Sequence, residues 1–325
     1  MKNVIITGAN SGIGKAAAFQ FAIQGYRVIM ACRNIEMSKP VCREIREKTK
    51  NSNVDLLQLD ISSKHSVHLF CEAYKKKYGT LDILINNAGH FKHGETSFQK
   101  SVDGLELTFA TNLLGPVLLT NLLSDALAKS DRPVVLNACS TNIKHFFDDR
   151  RKIDIKSLCG ESVPGKKYNS YQLYGDSKIG LLMATFAMAQ EYKSIGISVN
   201  AIMIPATKMS KNTVRKFKSC WRILAILQNP FIPEAEVIGD VYFSICTSDL
   251  YYKITGKLIN HKGKIVSVAD KSMSFFKIIT GSEVYPPYAD DRETSKRVWE
   301  ICSRQADSLK LDMAKKHSPS QTCIL

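Results

Sequence analysis

Long apolar runs are missing from this 325-residue chain. None approaches the ~18 residues that a membrane-spanning helix needs, so no span is expected. The nine cysteines include no Cys-x-x-Cys pair. Odd in number and scattered, they argue against a disulfide framework and suit free thiols in a reducing compartment. Zinc-finger and RNA-binding signatures are also absent, although the formal net charge is +15. The basic residues are spread out, with only short clusters such as Lys75–Lys77, so a basic surface is expected and nucleic acid is not. His65/His68 and His90/His93 have i, i+3 spacing without a third ligand nearby, which leaves no metal site to expect. There is no internal repeat and no low-complexity tract. Strand-like sequence begins almost at Met1, so no signal peptide is expected. Cys323 stands third from the end, where prenylation needs the fourth. A cytoplasmic protein is the expectation.

What is present is ordinary globular composition, 44% hydrophobic and 23% charged. Short apolar runs alternate with helical patterns. Strands are expected at 4–6, 27–32, 54–59, 81–85, 134–138 and 197–204. Helices are expected at 12–24, 36–48, 64–78, 102–129 (bent by Pro116) and 171–194. Strand, helix, strand at this spacing means right-handed crossovers and an α/β doubly wound parallel sheet, a Rossmann fold with helices on both faces. A polar excursion at 141–170 and a less regular stretch at 208–233 break the alternation. The expected organisation is a dinucleotide-binding catalytic unit over 1–260, with 205–235 covering the substrate, and an extension over 261–325 packed on the same domain. That extension has a helix near 294–311.

The turn after the first strand reads Thr7-Gly8-Ala9-Asn10-Ser11-Gly12-Ile13-Gly14. Glycines here let the backbone approach a pyrophosphate, whose charge the helix N-terminus meets. A glycine cluster alone is weak, but at the first strand–helix junction of crossover units it is strong. Where an acidic residue would accept from a ribose 2′-OH, the second strand ends Ala31-Cys32-Arg33-Asn34. A guanidinium suits a 2′-phosphate, so Arg33 favours NADP(H). Asp60-Ile61, after the third strand, lies at the adenine edge of such a sheet. Asp60 would there accept from the exocyclic amine or cap the next helix.

Of the 12 tyrosines, Tyr174 alone has lysine four residues on, Lys178. On a helix the two share one face. A neutral phenol is a poor base, and an ammonium beside it stabilises the phenolate. Such a pair can pass a proton to or from a substrate oxygen. Its helix follows the fifth strand, at the sheet edge where ligands bind. Ser140, ending that strand, would hydrogen-bond a substrate carbonyl. Asn112 lies inside the long helix, where asparagine has poor propensity. If buried it needs a partner: a proton-relaying water toward Lys178, or a plain buried hydrogen bond.

Together these motifs, with Asn86-Asn87-Ala88-Gly89, resemble the short-chain dehydrogenase/reductase superfamily over roughly residues 2–260. The resemblance implies a tetrad of Asn112, Ser140, Tyr174 and Lys178. It implies cofactor contacts from Gly8, Asn10, Ser11, Gly12, Ile13, Gly14, Arg33, Asp60, Ile61, Asn87, Ala88, Gly89, Tyr174, Lys178, Pro205 and Thr207. Within the superfamily, Ala31-Cys32-Arg33, Thr108 to Gly115, Tyr168-Asn169-Ser170 and Asp291 to Thr294 look like the retinol dehydrogenase branch. Its members act on retinoids, medium-chain aldehydes and sometimes steroids.

Three features depart from that pattern. Pro205-Ala206-Thr207 stands where the family has Pro-Gly, and alanine resists positive φ, so a reshaped loop is expected. The apolar N-terminal anchor of membrane-bound relatives is not seen. Residues 262–284 are longer than the pattern. Cys139 beside Ser140 reads as a small buried residue. Residues 215–227, basic then apolar, would line the pocket or touch a membrane interface peripherally. The implied activity is interconversion of an apolar alcohol and its carbonyl by an NADP(H)-dependent enzyme, compatible with a homo-oligomer. A weakly catalytic cofactor-binding sensor or scaffold is the alternative.

Overall fold

Val4, Ile5 and Ile6 are fully buried because their strand has a neighbour on each side and helices on both faces. In the computed structural model, which describes residues 1–159, 167–208, 232–270 and 283–317, that strand is β1 (Asn3–Thr7). It is followed by α1 (Gly12–Ile23), β2 (Arg27–Cys32), α2 (Ile35–Thr49), β3 (Val54–Gln58), α3 (Lys64–Tyr78) and β4 (Ile83–Asn86). Then come α4 (Leu107–Leu127), β5 (Val134–Ser140), α5 (Ser170–Glu191), β6 (Ser198–Ile204) and α6 (Ala235–Thr247). The chain ends with β7 (Leu258–Asn260), β8 (Ile265–Val268), β9 (Val284–Tyr285) and α7 (Arg292–His317).

The strands form one nine-stranded sheet in the order β3-β2-β1-β4-β5-β6-β7-β8-β9. Order reverses between β1 and β4, both parallel to their neighbours, and open α/β sheets bind ligands at such a switch point, outside the carboxyl ends of the strands. The six strands expected from the sequence are all present and mutually parallel. The sheet is larger and less uniform than expected. β7 joins parallel, β8 antiparallel to β7, and β9 parallel to β8. These strands have only two to four residues each, too few for an alternating pattern to show in the sequence.

Two apolar layers flank the sheet. On one face α1 and α6 bury Phe21, Ile238, Tyr242 and Ile245 against Val4, Ile6 and Met30. On the other, α3, α4 and α5 bury Phe70, Leu118 and Leu182 against Ile5, Leu84 and Val135. Ala289, Val298 and Cys302, from the extension, lie in that second layer.

The long helix departs from expectation at its start and at its bend. Residues 100–106 form a turn, with a bridge from Lys100 to Glu106 and Gly104 at φ +77°. The helix then starts at Leu107, where the Glu106 carboxylate caps the Phe109 N–H at 2.7 Å. Pro116 does not bend a regular helix. Residues Ala110–Leu114 form a π turn, closed by the Gly115 N–H on the Ala110 carbonyl. Proline has no N–H for the carbonyl four residues back, and the wider turn absorbs that loss. This helix is long and apolar enough to cross a membrane, but 72% of its apolar window is buried inside the protein, as in a core helix.

The polar excursion holds a 3-10 helix, Thr141–Phe147, and a helical turn, Ile155–Leu158. The segment 215–227, most of the 205–235 cover and most of the 262–284 insertion lie outside the described residues.

Candidate active site

The glycine turn between β1 and α1 is shaped for a bulky anion. Gly8 and Gly12 take φ of +66° and +52°, conformations that side chains rarely adopt. A methyl on Gly14 would stand 2.4 Å from the Gly8 carbonyl oxygen and 2.5 Å from Asn87 Nδ2, so only hydrogen fits. Ser11 caps α1 in extended conformation without a side-chain hydrogen bond, and the first turn has no acidic residue. The backbone N–H groups of that turn therefore face outward with a positive helix end behind them. Asn10 and Ile13 are half-buried beside the exposed Ser11 and Gly12.

Thr7 ties this turn to the segment after β4. Its hydroxyl accepts from the N–H groups of Asn87 (2.9 Å) and Ala88 (2.8 Å). Asn87 Nδ2 donates back to the Thr7 carbonyl at 2.9 Å, and its Oδ1 accepts from the Tyr242 hydroxyl at 3.2 Å. Asn86 instead faces the core, donating to Asn137 (2.8 Å) and Thr120 (3.1 Å).

Arg33 and Asp60 follow β2 and β3, across the glycine turn from β5. The Arg33 side chain is exposed. Asn34 caps α2 through the Met37 N–H at 3.0 Å, which holds that corner. Asp60 Oδ1 accepts from the Ser62 N–H (3.0 Å) and hydroxyl (2.6 Å), while Ser63 caps α3. Ile61 is buried, and its carbonyl backs onto α4 at Gly115.

Four residues expected to act together come from three elements around the ends of β4 and β5. Tyr174 and Lys178 lie on α5, half-buried and 4% exposed respectively. The Lys178 Nζ lies 5.8 Å from the centre of the Tyr174 ring and donates to the Ala138 carbonyl at 2.8 Å. Ser140 ends β5 two residues beyond that carbonyl, and its hydroxyl accepts the Asn142 N–H at 3.2 Å. Asn112 sits in the π turn, fully buried. Its Oδ1 accepts the His90 N–H at 2.6 Å, and its Nδ2 donates to the His90 carbonyl (3.0 Å) and the Ser177 hydroxyl (3.1 Å). A methyl on Gly89 would meet Asn112 Oδ1 at 3.6 Å and Lys178 Nζ at 3.7 Å, so the bare glycine leaves those two groups facing one gap. Of the two roles expected for Asn112, the plain buried hydrogen bonds are the one seen, and its Oδ1 borders the gap beside Lys178.

Cys139 is buried as expected, and desolvation pushes its thiol up to about 12. Burial holds the His90 imidazole below the usual histidine range, against the opposing pull of Glu106. Ala206 is not among the described residues with positive φ, so the loop takes a backbone that alanine accommodates. Pro205 and Thr207 are partly exposed at the end of β6.

Two neighbours of the site escaped sequence reasoning. Ser177 supports both partners, accepting from Asn112 and donating to the Tyr174 carbonyl at 2.8 Å. A hydroxyl inside a helix, one residue before Lys178, was a readable signal. Phe91 packs its ring 4.7 Å from that of Tyr174. Nothing in its local sequence announces this, because the contact depends on how a loop folds over a distant helix.

The short chain dehydrogenase family model matches residues 2–147. Retinol dehydrogenase 12 of Mus musculus is 37% identical over 226 residues, covering 69% of this chain and 67% of that protein. Retinol dehydrogenase 13 of Homo sapiens is 29% identical over 307 residues, covering 93% and 84%. Among solved structures, a short chain dehydrogenase from Shigella flexneri 2a complexed with NADP has a TM-score of 0.60 and 20% identity, covering 80% of this chain and 97% of that one. The structural likeness carries the fold, and the sequence likeness over two thirds of a relative carries the kinship: the chain belongs to the short-chain dehydrogenase/reductase superfamily and resembles its retinol dehydrogenase branch.

Proposed function

We propose that this protein is an NADP(H)-dependent oxidoreductase that interconverts an apolar alcohol and its aldehyde or ketone. Membership of the superfamily supports the coarser statement, an oxidoreductase acting on alcohol and carbonyl groups. The observation that carries the finer reading is the place of Lys178, its Nζ 5.8 Å from the centre of the Tyr174 ring and bonded to the Ala138 carbonyl two residues before Ser140.

The donor set fits a dinucleotide. An open helix N-terminus and a glycine cradle suit a pyrophosphate. Arg33, exposed at the end of β2, suits a 2′-phosphate and favours NADP(H) over NAD(H). When bound, the nicotinamide cofactor supplies or accepts the hydride at the substrate carbon.

The chain's own residues handle the proton. In the direction of reduction, the Tyr174 hydroxyl gives a proton to the carbonyl oxygen as negative charge gathers there. The Lys178 ammonium, anchored on the Ala138 carbonyl, offsets the charge left on the phenolate. The Ser140 hydroxyl donates to the same substrate oxygen and fixes its position. Asn112 acts behind Lys178, holding the segment after β4 against α5 through His90 and Ser177. In oxidation the proton runs the other way. The exposed ring of Phe91 against Tyr174 favours an apolar substrate body.

The test is cofactor consumption against retinal, nonanal and a keto-steroid, with NADPH and NADH in parallel. Turnover of at least one carbonyl with a preference for NADPH is expected. A chain that binds NADPH and reduces none of them is a sensor or scaffold, which would overturn the proposal.

A further inference from the structure

Asp176 stands between Tyr174 and Lys178, two residues from each, and is fully buried. Two helical residues turn a side chain by about 200°, which sends it away from the face the pair shares. Its Oδ1 meets the guanidinium of Arg151, from the loop beyond β5, in a short ion pair. Its Oδ2 is buried and has no hydrogen-bond partner among the described residues. Arg151 also donates to the Gln172 carbonyl at 3.3 Å and lies 4.5 Å above the Phe146 ring. Phe146 in turn stacks on Tyr288 of the C-terminal extension, with ring centres 5.5 Å apart, and Tyr288 accepts the Ile153 N–H at 3.1 Å. Phe146 belongs to the 3-10 helix that Ser140 caps.

A carboxylate in this place is costly to desolvate, and replacing such an ion pair as a whole by well-packed apolar residues is often neutral or stabilising. Stability alone does not account for it. Its geometry does: the pair joins the helix carrying Tyr174 to the segment leaving Ser140. We propose that Arg151 and Asp176 are positioning residues, an ionic clamp that holds the Tyr174 and Ser140 hydroxyls in a fixed relation. This rests on the activity proposed above.

Burial pushes the Asp176 carboxyl up to about 6, while Arg151 and the Asp154 N–H pull it down and the Asp154 carboxylate pushes it up. On its own helix, Lys178 is engaged by the Ala138 carbonyl. The folded value lies above the ~3.9 of an unfolded aspartate. Protonation therefore favours the fold, a contribution present below about pH 4 and lost as pH rises through about 6. The clamp, by contrast, exists only when Asp176 is ionised. On acidification this one group sends clamp and fold stability in opposite directions, which separates positioning from support.

The test follows kcat, NADPH affinity and Tm of the full chain from about pH 5 to about pH 8, for wild type, Asp176→Asn and Arg151→Lys. Wild-type kcat is expected to fall on acidification through about pH 6. Asp176→Asn should lose that inflection and about tenfold in kcat near pH 8, with NADPH affinity within about twofold and Tm no lower than wild type. Arg151→Lys, which keeps the charge, should lose less than Asp176→Asn. Amide exchange over residues 170–178, corrected for its intrinsic pH dependence, reads the clamp without turnover. Protection should drop in Asp176→Asn and in wild type at about pH 5. Wild-type kcat, pH profile and protection in Asp176→Asn would overturn the inference. If instead Tyr174→Phe retains turnover, the proposed function fails, and the exchange measurement still decides the clamp.

Discussion

The proposed preference for NADP(H) rests on one side chain. Arg33 follows β2 where the sequence has no carboxylate to meet a ribose hydroxyl, and its side chain is exposed. A charge-assisted hydrogen bond contributes about 1.5–3 kcal/mol, or roughly ten- to a hundredfold in affinity. Arg33→Ala should therefore raise KM for NADPH by at least about tenfold and leave KM for NADH within about twofold. Steady-state kinetics with both cofactors checks this, and equal losses for both would contradict it. Asp60 teaches the opposite lesson at the same scale. Its Oδ1 is engaged by Ser62, while Ser63 and not Asp60 caps α3, so the cap read from sequence belongs to the serine.

At the scale of elements, strands and helices with a strong period were legible, and the device that places Asn112 was not. β2 and α3 fall where the apolar pattern puts them, because alternation and caps are local signals. The start of α4 was missed because the Glu106 carboxylate acts as a cap through a fold-back at Gly104, which the helical pattern conceals. The π turn was missed because its cause is shared. Pro116 removes a donor, and Gly115 must pass the Ile61 carbonyl closely. A methyl on Gly115 would stand 2.2 Å from that carbonyl oxygen and 3.0 Å from that of Ala110. Helix propensity alone would make Gly115→Ala stabilising by about 1 kcal/mol. The backbone clash reverses the sign, and overpacking of this kind costs about 1–3 kcal/mol. Denaturant unfolding should show a net loss, with reduced kcat as Asn112 shifts. A gain in stability would show that the turn is not set by this contact.

For the whole molecule, a parallel sheet and a candidate site at its switch point were legible in the sequence, and the short strands of the extension were not. The helix expected near 294–311 is α7, but β8 and β9, of four and two residues, are too short for a period to show. Ala289, Val298 and Cys302 nevertheless lie in the layer that holds α4 and α5, and Tyr288 stacks on Phe146. Burying a side chain of valine size contributes about 1.5–3 kcal/mol, against a total stability of about 5–15 kcal/mol. Ending the chain at residue 270 should therefore remove a large share of the stability, seen as a fall in Tm or as insoluble protein. An unchanged Tm would mean that the extension is an appendage.

All of these scales meet at Tyr174. The direct measurement is carbonyl-dependent NADPH oxidation by wild type and Tyr174→Phe, with NADPH binding measured on both. The variant loses one oxygen from a half-buried ring and should fold and bind NADPH as wild type does. Its turnover should fall by at least about a hundredfold, the lower end of what a general acid contributes. Turnover within a few-fold of wild type would contradict the account, because the proton would then come from another group.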